Sequence, residues 1–403
     1  MLAVEFIVQT LSHFVKADDG PPPGIPLHSG VNFEQELVRL CECQQLSPII
    51  VRSLENLVLG PGMSRLSLER LKRDSWRIEQ SNRRTEAKIQ SLSLVFREKG
   101  IPFILFGGAA VARTAYLFSC LRAIDRIDIL VKESNWSGTM ECLQECGFEQ
   151  MSGYPQGETP HEALQYHQLL VPCVFRDGEG DEVHISFRIF HLGFPEADEI
   201  AWVRSHGAES AEPFARGLSP EDQLIRHAIE LTVGGFSDLR VTVDIAILLV
   251  QHRGKIEWEY IERRLSDRGH YPAFYFAIKH VGDLLQLPRA CKDLRYPGIV
   301  RERFFGIVWN THAPDFFNPG EKRQQNLKFG LLESRRVSAA ALLRAILSPA
   351  PGWVAAFYGR PANSQLKLQL ILRSLCGKWM KAERLQETSH MADTIKPGQR
   401  LLE

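Results

Sequence analysis

A glycine pair, Gly107-Gly108, follows a short apolar run, Ile101 to Phe106. That run is rich in β-formers and reads as a buried strand. Ala109 to Phe118 then reads as a helix, with Val111, Ala115 and Phe118 at helical spacing. A second strand, Ile127 to Val131, is entered through Asp125 and Arg126 and carries Asp128. This order of parts suits phosphate chemistry. Without a Cβ, glycine lets the backbone approach a polyphosphate closely. The helix that follows directs free N–H groups and its positive dipole end at the anion. A carboxylate on the adjacent strand can hold a Mg²⁺ that bridges phosphates. The same residues also read as a tight turn beside a strand-end charge, and pattern alone leaves both readings open.

Phe106-Gly107-Gly108-Ala109-Ala110, Tyr116, Arg122 and Asp128-Ile129-Leu130-Val131 resemble the signature of the uncharacterised nucleotidyltransferases. These form part of the polymerase β-like nucleotidyltransferase superfamily. Their pattern runs Lys-Gly-Ala-Ala, a Tyr, an Arg, then Asp-Ile-Asp-Leu-Leu-Val. Downstream, Glu182-Val183-His184 is similar to the family's Asp-x-His. Leu218 to Asp222, Leu239 to Leu249 with Asp244, and Ile256-Glu257-Trp258 extend the resemblance over residues 30 to 290 or so.

The resemblance implies a fold and a site. The fold is α/β (α+β), a small mixed-sheet core flanked by N-terminal and C-terminal helical regions. At the site, acids hold metal ions that clamp the attacking and leaving oxygens of a phosphoryl displacement. Gly107 and Gly108 match the nucleotide-binding turn, Asp128 the second metal acid, and Glu182 the third. The first acid is replaced by Arg126, and Asp125 is the nearby substitute. Strand side chains alternate, so Arg126 shares a face with Asp128 while Asp125 points away unless a bulge re-aims it. Arg122 matches a family arginine that contacts phosphate or pairs with an acid. His184 reads as a packed neighbour or a base, and Asp244, inside an apolar helix, needs a partner. Two functions follow. One is a Mg²⁺-dependent enzyme that transfers a nucleotidyl group from an NTP to an unknown acceptor, be it small molecule, peptide or protein. The other is a catalytically degenerate relative that binds nucleotide or a protein partner.

Composition narrows the rest. The chain has 403 residues, with 44% hydrophobic and 24% charged, which is ordinary for a globular protein. Formal net charge is zero, which argues against general nucleic-acid binding. The 8 cysteines include no Cys-x-x-Cys pair, so free thiols are expected rather than zinc or disulfides. No apolar run reaches the ~18 residues of a membrane span. The apolar patch Met1 to Val15 lacks the layout of a signal peptide, so a cytoplasmic protein is expected.

Four regions are expected: helical 1–88, the α/β core 89–200, helical 201–300, and a mostly helical 301–403 with a polar tail. Within the first, Ser64 to Lys99 reads as a long charged helix stopped by Gly100. Ser134 to Cys146 reads as a helix ended by Gly147. His167 to Phe175 and Glu182 to Phe190 read as a hairpin around Asp177-Gly178-Glu179-Gly180. Glu182, His184 and Ser186 then share one face. Ser219, Pro220 and Asp222 suit N-cap, N1 and N3 of a helix that begins a run of helices. Glu333 to Leu347 and Ser364 to Leu385 also read as helices, and Thr388 to Glu403 as a loose tail.

Overall fold

A computed structural model describes residues 3–16, 31–55, 63–151, 173–187, 189, 195–207, 215–266, 270–287, 291–299 and 302. The start of the expected hairpin, the two helices expected past residue 330 and the tail fall outside these residues. The chain divides into two compact units, Met1–Glu149 with Pro172–Ser338 and Gln150–Val171 with Ala339–Glu403. Nearly all of the second lies outside the described residues.

Four helices open the first unit: α1 (Ala3–Lys16), α2 (Val31–Cys43), α3 (Ser47–Glu55) and α4 (Arg65–Glu98). The Ser64 side chain caps α4 by accepting from the Ser67 amide. Gly100 ends it at φ +66°, the left-handed role expected from sequence. Leu71, Ile78, Ile89, Leu92 and Phe96 make its buried stripe. Phe96 meets Phe103 edge-on, with ring centroids 5.1 Å apart.

The sheet follows: β1 (Phe103–Phe106), β2 (Ile127–Leu130), β3 (Glu149–Gln150), β4 (Cys173–Arg176), β5 (Glu182–Ser186), β6 (His206–Gly207) and β7 (Ala215–Gly217). Its order is β3-β4-β5-β2-β1-β7-β6. β2 runs antiparallel to β1 and parallel to β5, and β4 and β5 form the expected hairpin. The three motif-bearing stretches therefore share one mixed sheet. β7 pairs parallel to β1, so the sheet draws on residues beyond the expected limit at 200. Strands of two and three residues are too short to show alternation, which hid them in the sequence.

Helix α5 (Gly107–Thr114) starts directly at the glycine pair, two residues before the expected Ala109. Helix α6 (Trp136–Glu145) covers one sheet face, where Trp136 packs on Phe175 and Phe187 at 6.4 and 5.4 Å. Strand alternation places Asp128, Glu182 and His184 on the opposite face.

After α7 (Pro195–Arg204) come α8 (Pro220–Val233), α9 (Leu239–Gln251), α10 (Trp258–Ser266) and α11 (Tyr271–Leu284). Every residue of α9 from Val241 to Leu249 is buried, as befits a helix that is apolar all round. Helix α8 lies over the Asp128 face, with the Arg226 guanidinium 5.9 Å from the Phe106 ring. Ser219 caps α8, accepting from the Asp222 amide at 3.2 Å and donating to its carboxylate at 3.1 Å. Because Ser219 is fully buried, water cannot replace that bond. Ser219→Ala should therefore lower unfolding stability by ~1 kcal/mol, read as a shifted urea midpoint at unchanged slope.

Candidate functional site

Two charged groups flank the glycine pair. Gly107 sits at φ +69°, and a Cβ there would lie 2.6 Å from Asp128 Oδ2. A Cβ on Gly108 would lie 3.0 Å from two guanidinium nitrogens of Arg122. The turn is thus wedged between an acid and a cation. Gly107 is required by backbone conformation and close approach together. A side chain at Gly108 would press on Arg122, so that glycine also serves packing.

Arg122 in turn is held from behind. Its Nε lies 3.1 Å from both Asp244 oxygens, and its Nη2 lies 2.8 Å from Oδ2. Its Nη1 donates to the Ala123 carbonyl. Tyr116 donates to Asp244 Oδ1 at 2.8 Å. Burial alone would lower the arginine pKa, but the Asp244 charge raises it, so the group stays ionised. Of the two roles open to Arg122, acid pairing is the one present. Asp244, on α9, gains the partner that a buried carboxylate needs.

Arg126 reaches Asp128 as alternation predicts. Its Nε is 3.0 Å from Oδ1 and 3.3 Å from Oδ2. Its Nη2 is 3.8 Å from Glu230 on α8. The Asp128 charge is the main reason that the Arg126 pKa is raised. Asp125 points elsewhere and pairs with Arg240 at 2.5 Å. Burial would raise the Asp125 pKa, but Arg240 outweighs it and the group is lowered.

Glu182 is bound by Arg176 across the hairpin and lies 3.1 Å from His184 Nε2. The Arg176 hydrogen bond is the chief cause of its lowered pKa. His184 Nδ1 lies 3.9 Å from Asp128 Oδ1, because Asp128 and His184 are direct partners in the β2–β5 ladder. The imidazole therefore stands between the two acids. Helix α8 adds residues that sequence reasoning missed, since nothing local ties that helix to this strand. Arg226 Nη1 is 3.3 Å from Glu230, and His227 Nδ1 is 3.6 Å away. Burial would raise the Glu230 pKa, but Arg226, His227 and Arg126 lower it well below the usual range. The i,i+4 spacing of Arg226 and Glu230 was the one signal available.

These residues do not suit a two-ion clamp. A divalent ion needs several anionic oxygens converging on it. Asp125, Asp128 and Glu182 each lie against an arginine, and they do not form a ligand cluster. Among the described residues, only Asp177, Glu179 and Asp181 at the hairpin tip come close enough to share an ion. That trio is occupied by the Lys88 ammonium, 2.9 Å from Glu179 and bonded to both aspartates.

Residues 33–286, well over half of the chain, match the family model described as uncharacterised nucleotidyltransferase. The chain belongs to that family. No curated protein and no solved structure is significantly similar to it. The matched span of this nucleotidyltransferase-family protein begins in α2 and ends just past α11, so it takes in the sheet, the glycine turn and the helices behind it. No described helix is long and apolar enough to cross a membrane.

Two outcomes follow from the site's electrostatics. Asp244→Asn leaves the Arg122 charge buried without its counter-ion and should cost ~3–5 kcal/mol in urea unfolding. The second concerns pH. Asp125, Glu182 and Glu230 titrate below their ordinary values of 3.8 for Asp and 4.5 for Glu. Their contribution is therefore complete above those ordinary values and is lost as pH falls below them. Buried Asp222, whose pKa is raised, opposes the trend. Stability should fall from pH 5 towards pH 3, and Glu230→Gln should flatten the decline.

Proposed function

We propose that this protein is a nucleotidyltransferase relative that binds a nucleotide at the Gly107-Gly108 turn without needing Mg²⁺. The observation that carries this reading is the 3.0 Å pair between Arg126 and Asp128, where the family pattern has two acids. A guanidinium offers a fixed fork of donors to phosphate oxygens and cannot bind a cation. Arg126 is about two-fifths exposed, so its outer donors remain reachable. Arg126 and Arg226 balance Asp128 and Glu230 in formal charge. The backbone amides that open α5 then supply the additional attraction for an anion.

The enzyme reading has one supporting observation. Asp128, His184 and Glu182 stand side by side on β2 and β5 in ladder register. In that reading the protein transfers a nucleotidyl group to an acceptor, with Asp125 and Arg126 rearranged from their present pairs.

Calorimetry with ATP separates the two. Wild-type affinity should be the same with Mg²⁺ and with EDTA. Arg126→Asp, which restores an Asp-x-Asp pair, should gain about a tenfold Mg²⁺ dependence, worth ~1.4 kcal/mol. Strong Mg²⁺ dependence in wild type, with turnover abolished by Asp125→Ala, would establish the enzyme reading instead. Absence of ATP binding under both conditions would remove the proposal.

A further inference from the structure

Three helices end around one cavity of about 570 Å³, lined in part by Lys16, Leu249, Ile256, Trp258, Arg253 and Lys292. Lys16 is the last residue of α1, and Arg253 follows α9 by two residues. Gln286 and Leu287, just past the end of α11, also line it. The volume lies within the range typical of small-ligand sites.

The lining divides by chemistry. Its floor is apolar, with Leu249 buried and Ile256 and Trp258 half-buried. Its rim carries three cations, Lys16, Arg253 and Lys292, against one acid, Asp293. None of the three cations is in an ion pair among the described residues, although most arginines elsewhere in the structure are paired. Helix C-termini attract cations by their dipole, which accounts for Lys16 and Arg253. It does not account for Lys292, which lies in a turn outside any helix. Nor does it account for an indole left half-buried over an open cavity.

One further feature sits at the rim. Gln286 has φ +54° at the end of α11, where the Leu287 amide donates to the Gly282 carbonyl at 2.8 Å. That helix ending favours glycine at the left-handed position. A glutamine there accepts backbone strain and keeps a hydrogen-bonding side chain on the cavity wall.

From this arrangement we infer that the cavity is a binding site for a small amphipathic anion, an aryl or short alkyl body bearing a phosphate or carboxylate. The apolar part lies on Leu249, Ile256 and Trp258, and the acid group meets Arg253, Lys292 and Lys16. The assignment is independent of nucleotide binding at the glycine turn.

The test is calorimetry on the full chain, in EDTA, with 1-naphthyl phosphate, 1-naphthol and inorganic phosphate as probes. Naphthyl phosphate should bind at one site, about tenfold or more tighter than either of its parts. Its affinity should fall as salt rises. Arg253→Glu combined with Lys292→Glu should weaken it by about tenfold or more. Val250 also lines the cavity, so Val250→Trp fills it without changing charge and should weaken binding too, which decides the matter if the double variant fails to fold. Arg126→Asp should leave it unchanged. Absence of naphthyl phosphate binding, or binding that neither cavity variant weakens, would overturn the inference. Binding lost in Arg126→Asp would place the probe at the glycine turn and overturn it equally.

Discussion

Arg122 and Asp244 are buried together, and much of the site's geometry passes through their contact. The guanidinium is held by Asp244 from α9 and lies against Gly108 at the start of α5. Tyr116, just past the end of α5, completes the cluster on the same carboxylate. One ion pair thus ties the helical layer to the turn. A buried pair of this kind adds little net stability over apolar packing, because desolvation offsets attraction. Its consequence here is positional. With both charges satisfied only in one arrangement, α9 fixes where α5 begins, and α5 fixes where its free amides point.

Asn82 on α4 extends the same logic. Its side-chain amide donates to the Ser119 and Arg122 carbonyls at 3.0 and 2.7 Å, and its oxygen accepts from the Ile124 amide at 3.0 Å. The segment between α5 and β2 has few backbone partners of its own, so side chains supply them. Lys88, two turns along α4, binds the acids at the β4–β5 turn. Helix α4 therefore anchors both the entry to β2 and the hairpin that bears Glu182. Its charge run serves this anchoring as well as exposure to solvent.

On the sheet face, charge is arranged in alternation: Asp128, Arg126, Glu230, Arg226. Each group lowers the cost of burying its neighbours. In the proposed reading, the two arginines neutralise carboxylates held close together, as a bound cation does in an all-acid site. A single arginine at position 126 is thus accommodated beside Asp128 without disturbing the sheet. The backbone ladder is indifferent to the side chain, while the site is not.

Local chemistry determined much of this protein in advance. Alternation put Arg126 beside Asp128 and turned Asp125 away, because a strand has no other way to orient successive side chains. Ser219, Pro220 and Asp222 marked the start of α8, and Gly100 the end of α4, because helix ends need particular backbone partners. The glycine turn, the three motif strands and the need of Asp244 for a partner were legible for the same reason. Tertiary structure decided the rest. It chose Arg122 as that partner across more than a hundred residues, brought Arg226 and Glu230 to Arg126, and gave Asp125 to Arg240. It also added β6 and β7 to the sheet and gathered three helix ends around one cavity. These are meetings between distant segments, set by how apolar faces pack, and no local spacing records them.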